Sequence, residues 1–125
     1  MNNFIQFDAL ISPVALGRPR VNTITKSVYY RRADIDFYHN LAYIAKYEMG
    51  YQRRELLTGA IRADISLYRN LPVTSKNFGD IDNHLKAIFD ALNGIVYTDD
   101  SHIIEVHAFK FRHCEEFIRL KFSSI

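Results

Sequence analysis

The segment Ala60–Tyr68 limits the possible folds more than any other part of the chain. Ile61, Ala63, Ile65 and Leu67 alternate there with Arg62, Asp64, Ser66 and Tyr68. A period of two sends the two sets to opposite faces of a strand, one buried and one wet. Such a strand needs neighbours in a sheet and an apolar layer over its inner face. Two amphipathic segments can supply that layer. From Asp34 to about Gln52, Phe37, Leu41, Ile44, Ala45 and Glu48 recur at helical spacing, giving one mostly apolar face. Asp34 and Asp36 lie near the start of that helix, where its dipole favours negative charge. From about Asn83 to Asn93, Leu85, Ile88, Phe89 and Leu92 form the buried stripe of a second helix, and Asn93-Gly94 ends it.

The remaining segments supply strands and turns. Phe4–Ser12 reads as a first strand with imperfect alternation, and Gly17-Arg18-Pro19-Arg20 is a breaker. Val21–Arg32, rich in Val, Thr, Ile and Tyr, reads as a short β-ribbon. Asn70–Gly79 is a polar loop. His102–Arg112 and Glu116–Phe122 read as two strands of an antiparallel hairpin, with His113-Cys114-Glu115 at its tip. The expected fold is α+β: a small mixed or antiparallel sheet with two main helices packed on it. At 125 residues the chain is expected to form a single domain, 1–125, around one core. No run of eighteen apolar residues is present, so no membrane partner is expected. The first eight residues have neither a basic leader nor a long apolar stretch, which argues against a secretory signal. The one cysteine, Cys114, suits a reducing, cytoplasmic setting. Five histidines without a cysteine set argue against structural zinc.

The net charge of +2 is small, but it is unevenly spread. Arg18, Arg20, Lys26, Arg31 and Arg32 fall in one stretch with no acid among them. Asp80, Asp82, Asp90, Asp99, Asp100 and Glu105 fall in another, opposed only by Lys86. A basic stretch that holds phosphates beside an acidic one that holds a cation is the charge pattern a metal-using nuclease requires. The basic stretch is either a DNA-phosphate site or a solvated loop. Tyr29 and Tyr30 either stack on unpaired bases or pack within the ribbon, and Lys76 is a further candidate for a backbone contact.

Asp80 and Asp82 are two residues apart and would diverge by about 200° within one helix. If both serve one site, Asp80 must be extended, with the helix starting just after Asp82 and Asp82 as its N-cap. Lys86 lies one turn further on, on the side of Asp82. A helix over 83–93 is roughly 16 Å long, and residues 95–100 can span up to roughly 20 Å. The chain can therefore turn at Gly94 and bring the Asp99-Asp100 pair back towards the helix start. Clustered carboxylates repel unless a cation compensates them, and Mg²⁺ or Mn²⁺ prefers such oxygen donors. A bound ion would activate water for attack on a phosphodiester, and Lys86 would either stabilise the charge that accumulates there or help position the attacking water. Asp90 reads as a surface partner of Lys86, and His84 as an exposed helix residue.

The run Asp-x-Asp-Asn-x-x-Lys-x-x-x-Asp-Ala-Leu over 80–92, followed by Asp99-Asp100, resembles the signature of RusA-type Holliday junction resolvases. Gly-Arg-Pro-Arg-Val over 17–21 resembles a stretch near the start of those proteins. The resemblance implies a homodimeric, Mg²⁺-dependent, bacterial or phage-encoded endodeoxyribonuclease that cuts four-way junction DNA by paired symmetric nicks in recombination and repair. It makes Asp80, Asp82 and Asp100 the catalytic metal ligands, with Lys86 assisting. The preference for Asp100 over Asp99 comes from that match alone. Arg18, Arg20, Lys26, Arg31, Arg32 and Lys76 are the candidate DNA contacts. Two rival functions remain at this point: a junction-binding protein whose catalytic centre has lapsed, and a different metal-dependent phosphoesterase.

Overall fold

A computed structural model describes residues 3–17 and 20–125. Six strands and two helices follow in the order β1 (Phe4–Ala9), β2 (Arg20–Val21), β3 (Val28–Tyr29), α1 (Arg32–Tyr51), β4 (Ile61–Arg69), α2 (Ile81–Leu92), β5 (Ile103–Arg112) and β6 (Phe117–Ser124). The fold is α+β, with one mixed four-stranded sheet in the order β1-β6-β4-β5 and a separate ribbon formed by β2 and β3. Among the described residues no helix is long and apolar enough to cross a membrane.

The alternation over 61–67 is realised directly. Ile61, Ala63, Ile65 and Leu67 are all buried, and antiparallel pairing sets Ala63, Ile65 and Leu67 opposite Phe122, Leu120 and Ile118 of β6. On the far side of β6, Ile5, Phe7 and Ala9 of β1 continue the same inner face. Phe37, Leu41, Ala45 and Met49 of α1, with Ala87, Ile88, Ala91 and Leu92 of α2, complete the core on that face. The opposite face of the sheet carries ion pairs such as Arg62–Asp64 and Arg119–Asp8, and a stack of Tyr68 on Phe117 with ring centroids 4.2 Å apart.

The last two strands differ from expectation. β5 and β6 are not hairpin partners, because β4 lies between them, parallel to β5 and antiparallel to β6. The β4–α2–β5 unit is thus a parallel crossover of the kind a helix makes between two strands. The physical reason lies in the side chains. Ile118, Leu120 and Phe122 are fully buried and require a central strand, whereas β5 exposes most of its residues and suits an edge. Residues 113–116 pass over the end of β4, where His113 N donates to Arg69 O at 2.9 Å and Asn70 N donates to Glu116 Oε2 at 2.9 Å.

Candidate active site

Asp80 is the last residue before α2. Its backbone is extended, with φ −75 and ψ 141, and the helix begins at Ile81. The N-cap is therefore Asp80 and not Asp82, and Asp82 falls in the first turn, near the positive end of the helix dipole. The Asp80 carboxylate makes no capping hydrogen bond. Among the described residues no hydrogen bond or ion pair engages the carboxylates of Asp80, Asp82 or Asp100, or the Lys86 ammonium.

Three side chains from three elements hold the backbone just before Asp80. Arg69 Nη1, at the end of β4, donates to the carbonyls of Asn77 at 2.9 Å and Phe78 at 3.2 Å. His84 Nε2 lies 2.6 Å from the Phe78 carbonyl, which can only accept, so Nε2 carries the proton. Lys110 Nζ, from β5, donates to the Gly79 carbonyl at 2.9 Å. Phe78 anchors the loop as a fully buried ring with the Lys110 ammonium 5.0 Å from its centroid. Leu16 N donates to Asn83 O at 3.0 Å and ties the segment after β1 to the first turn of α2.

His84 is buried, not exposed as its neighbours in sequence suggested, and its Nδ1 has no partner. Burial pushes its pKa down, and Arg69 and Lys110 push the same way. The hydrogen bond to Phe78 and the charge of Asp80 oppose them. The ring is thus a neutral strut under the loop. Sequence reasoning missed Arg69, His84 and Lys110. For Lys110 a signal did exist, as a charge at an inward position of β5, in register with Leu67 of β4.

Beyond α2 the chain reverses at Gly94, whose φ is +77. Gly94 N donates to Tyr97 O at 2.9 Å, and the Tyr97 hydroxyl donates to Phe89 O at 2.8 Å. Burial, reinforced by Asp100, Asp90 and Asp99, pushes the phenol well above its ordinary value, so it stays a donor. The chain thus turns back beside the last turn of the helix but does not return to its start, because Asp99 stays tied to Asn93, the C-cap of α2. Asp99 then caps the short 3-10 turn Asp100–His102, accepting from Ser101 N, Ser101 Oγ and Asn93 Nδ2. Those bonds hold its carboxyl below the usual carboxylate range, with the Ser101 side chain contributing most. Of the two paired acids, Asp99 has a structural task.

Asp82, Lys86 and Asp90 occupy successive turns of one exposed stripe of α2. Desolvation pushes the Asp90 carboxyl up and Asp100 adds to it, while Lys86 opposes. No ion pair joins Lys86 to Asp90 among the described residues, so the expected surface pair is absent. Nor, among the described residues, do three His, Cys, Asp or Glu side chains converge closely enough to hold a metal ion. The acids fall instead into two groups: Asp80 with Asp82 at the helix head, and Asp99 with Asp100 at the far end of the helix, where Asp99 accepts from Asn93.

The expected DNA contacts are dispersed. Arg18 lies outside the described residues, as does the side chain of Arg20, whose backbone pairs with Tyr29 in the ribbon. Lys26 is exposed at the ribbon turn, with φ 58. Tyr29 and Tyr30 are about half exposed, so the ribbon does not bury them in the core. Arg32 pairs with Asp36 at 3.1 Å. Arg31 is clamped by Asp34, with Nη2 2.9 Å and Nε 3.1 Å from its carboxylate oxygens, and Nη2 also donates to Ala15 O. Arg31 and Lys76, far apart in sequence, line the same cleft together with Arg69.

The chain is similar to an uncharacterized protein, YqaN, of Bacillus subtilis (strain 168). The two are 28% identical over 124 residues, an alignment covering 86% of this chain and 87% of the relative. Residues 11–121 match the family described as endodeoxyribonuclease RusA. That span contains both helices, the loop before Asp80 and both groups of acids, and the chain belongs to the RusA endodeoxyribonuclease family, the family of Holliday junction resolvases.

Proposed function

We propose that this protein is a structure-selective, Mg²⁺-dependent endodeoxyribonuclease that resolves four-way DNA junctions by paired nicks, acting as a homodimer. The observation that carries this reading is the head of α2, where two carboxylates with no partner among the described residues sit on a backbone held by Arg69, His84 and Lys110. The donor set suits a hard cation. Mg²⁺ is commonly held by one or two carboxylates together with waters and substrate phosphate oxygens, so it does not need a preformed cage of three acids. Asp80 and Asp82 would hold it; Asp100, the third ligand that the family resemblance implies, would have to approach from the second group of acids. When bound, such an ion supplies an activated water and charge stabilisation at a phosphodiester.

The chain's own residues account for the rest. Lys86 lies one turn beyond Asp82 on the same exposed stripe and offers a positive charge for negative charge accumulating on a phosphate. The bonds from Arg69, His84 and Lys110 fix the backbone that enters Asp80, so little reorganisation of that backbone is needed when substrate arrives. Dimerisation follows from the substrate: a four-way junction is nearly two-fold symmetric, and two opposed nicks call for two symmetry-related sites.

The test is Asp82→Asn with a labelled four-way junction. Junction binding should persist while cleavage in Mg²⁺ falls to background. Undiminished nicking by the variant would refute the ligand assignment. Linear duplex and mononucleotides serve as controls, since a general phosphoesterase would cut them as readily.

A further inference from the structure

We propose that the cleft between residues 13–15, the start of α1 and the 76–79 loop seats one backbone phosphate of the DNA strand. This inference rests on the nuclease reading above and names a subsite for its substrate. The cleft holds about 320 Å³, and its walls include Pro13, Ala15, Arg31, Arg69, Lys76 and Gly79. Among the described residues that line it, three are cations and none is an acid.

Those cations come from three separate places: the N-cap of α1, the end of β4 and the loop before α2. Bringing like charges into one concavity costs free energy unless counter-charges are near. Arg31 has Asp34 at 2.9 Å, and Arg69 has Glu116 at 3.8 Å. Lys76 is exposed and has no ion pair among the described residues, so the cleft retains an uncompensated positive charge. Donors also remain. Arg31 commits Nε and Nη2 to Asp34 and Ala15, and Arg69 commits Nη1 to two carbonyls. Nη1 of Arg31, Nη2 of Arg69 and Nζ of Lys76 are left for a ligand. A phosphodiester presents one negative charge on two non-bridging oxygens, which suits such a set of forked and single donors.

Position selects the source of that phosphate. Gly79, on the cleft wall, immediately precedes Asp80, and the opposite wall is tied to α2 through Leu16 and Asn83. A phosphate seated here lies beside the helix-head acids, so the same strand can present a neighbouring diester to them. The cleft thus fixes where along the strand the cut falls relative to a bound phosphate.

The experiment measures affinity for a synthetic four-way junction in chelator, so that binding is read without cleavage, across 50–200 mM salt. Loss of one phosphate contact should lower the log–log salt slope by about one per seat. Lys76→Ala should show that loss, whereas Lys46→Ala, on the exposed side of α1, should keep the wild-type slope. A neutral methylphosphonate placed in turn at each position flanking the cleavage point should weaken wild-type binding at one position. Lys76→Ala should be indifferent to the same replacement. A wild-type slope for Lys76→Ala, or equal sensitivity of both proteins at every position, overturns the proposal. So does protection of the wild type, but not Lys76→Ala, by inorganic phosphate while the junction slopes coincide, because the seat then takes a small anion. Wild-type protein that fails to bind the junction at all overturns the nuclease reading together with the subsite.

Discussion

Gly79→Ala is the substitution by which the geometry at the head of α2 is most sharply tested. Gly79 has φ +94, and a Cβ built on it would lie 2.6 Å from the Ala15 Cβ and 3.0 Å from His84 Nε2. Carbon atoms in ordinary contact sit about 3.5–4.0 Å apart, so the loop or the 13–17 segment must give by about 1 Å. The left-handed backbone alone costs an L-residue about 1–2 kcal/mol, and overpacking adds about 1–3 kcal/mol. The sum is about 2–5 kcal/mol. Gly94 provides the matched control, because its φ is +77 but nothing lies within 4 Å of an added Cβ. Gly94→Ala should therefore cost only the backbone share, about 1–2 kcal/mol. Urea unfolding of both variants gives the two values. Ala15→Gly in the Gly79→Ala background removes the clashing atom, and a double-mutant cycle should return about 1–3 kcal/mol of coupling. The displacement is also delivered to Asp80, one residue on. Misplacement of a catalytic group by about 1 Å can cost roughly a hundredfold in rate, so Gly79→Ala should cleave junctions far more slowly than Gly94→Ala under conditions where both are folded. Equal destabilisation by the two alanines, or zero coupling with Ala15, would show that the close approach does not constrain the loop.

Two further outcomes follow from the acids. Asp34 is buried and accepts from Arg31 and from Gly17 N at 3.2 Å, and the Arg31 hydrogen bond is the largest influence holding its carboxyl below the usual range. A group so lowered stabilises the fold fully above about pH 4, and that contribution is lost as pH falls through the lowered native value. Because Arg31 is partly exposed, Asp34→Asn should cost about 1–2 kcal/mol at pH 7 and should flatten the acid limb of stability. Thermal midpoints at pH 7 and pH 3 check this, and an acid limb as steep as wild type would exonerate Asp34. Asp99→Asn and Asp100→Asn should separate structure from chemistry. The first weakens the cap on the 3-10 turn and lowers the thermal midpoint, while the second leaves the midpoint unchanged and abolishes cleavage. Matching melting curves for the two, or cleavage lost only in Asp99→Asn, would reverse the assignment of roles.

Much of the layer structure was legible because it depends on local period. The strand at 61–67, the helix over Phe37, Leu41 and Ala45, and the ribbon flanking Lys26 each show their type within a dozen residues. What was not legible depends on which strand neighbours which. The four residues between Arg112 and Phe117 suit a hairpin equally well as a step across one intervening strand, because two strand spacings are only about 10 Å. The fully buried row Ile118, Leu120 and Phe122, set against the exposed Glu105, His107, Phe109 and Phe111, was the available hint that β6 is central and β5 an edge.

The same distinction runs through the site. Asp80 and Asp82 are local to one helix start, and sequence spacing was enough to require an extended Asp80. Which of the two caps the helix was decided by long-range anchors. Arg69 and Lys110 arrive from β4 and β5 and fix the carbonyls of Asn77, Phe78 and Gly79, while buried His84 supports them from beneath. Those anchors leave the helix free to begin at Ile81. Because β5 is parallel to β4, its inward Lys110 comes level with Leu67, near the loop that leaves β4 and leads into α2. In the antiparallel β5–β6 hairpin expected from the sequence, β5 need not pair with β4, and nothing would then bring Lys110 to Gly79. The topology that sequence reading missed therefore also supplies the contact that orients Asp80. It follows that Lys110→Met should disturb cleavage more than it disturbs the core, since the bond it removes ends on the residue before Asp80 and not in the buried cluster.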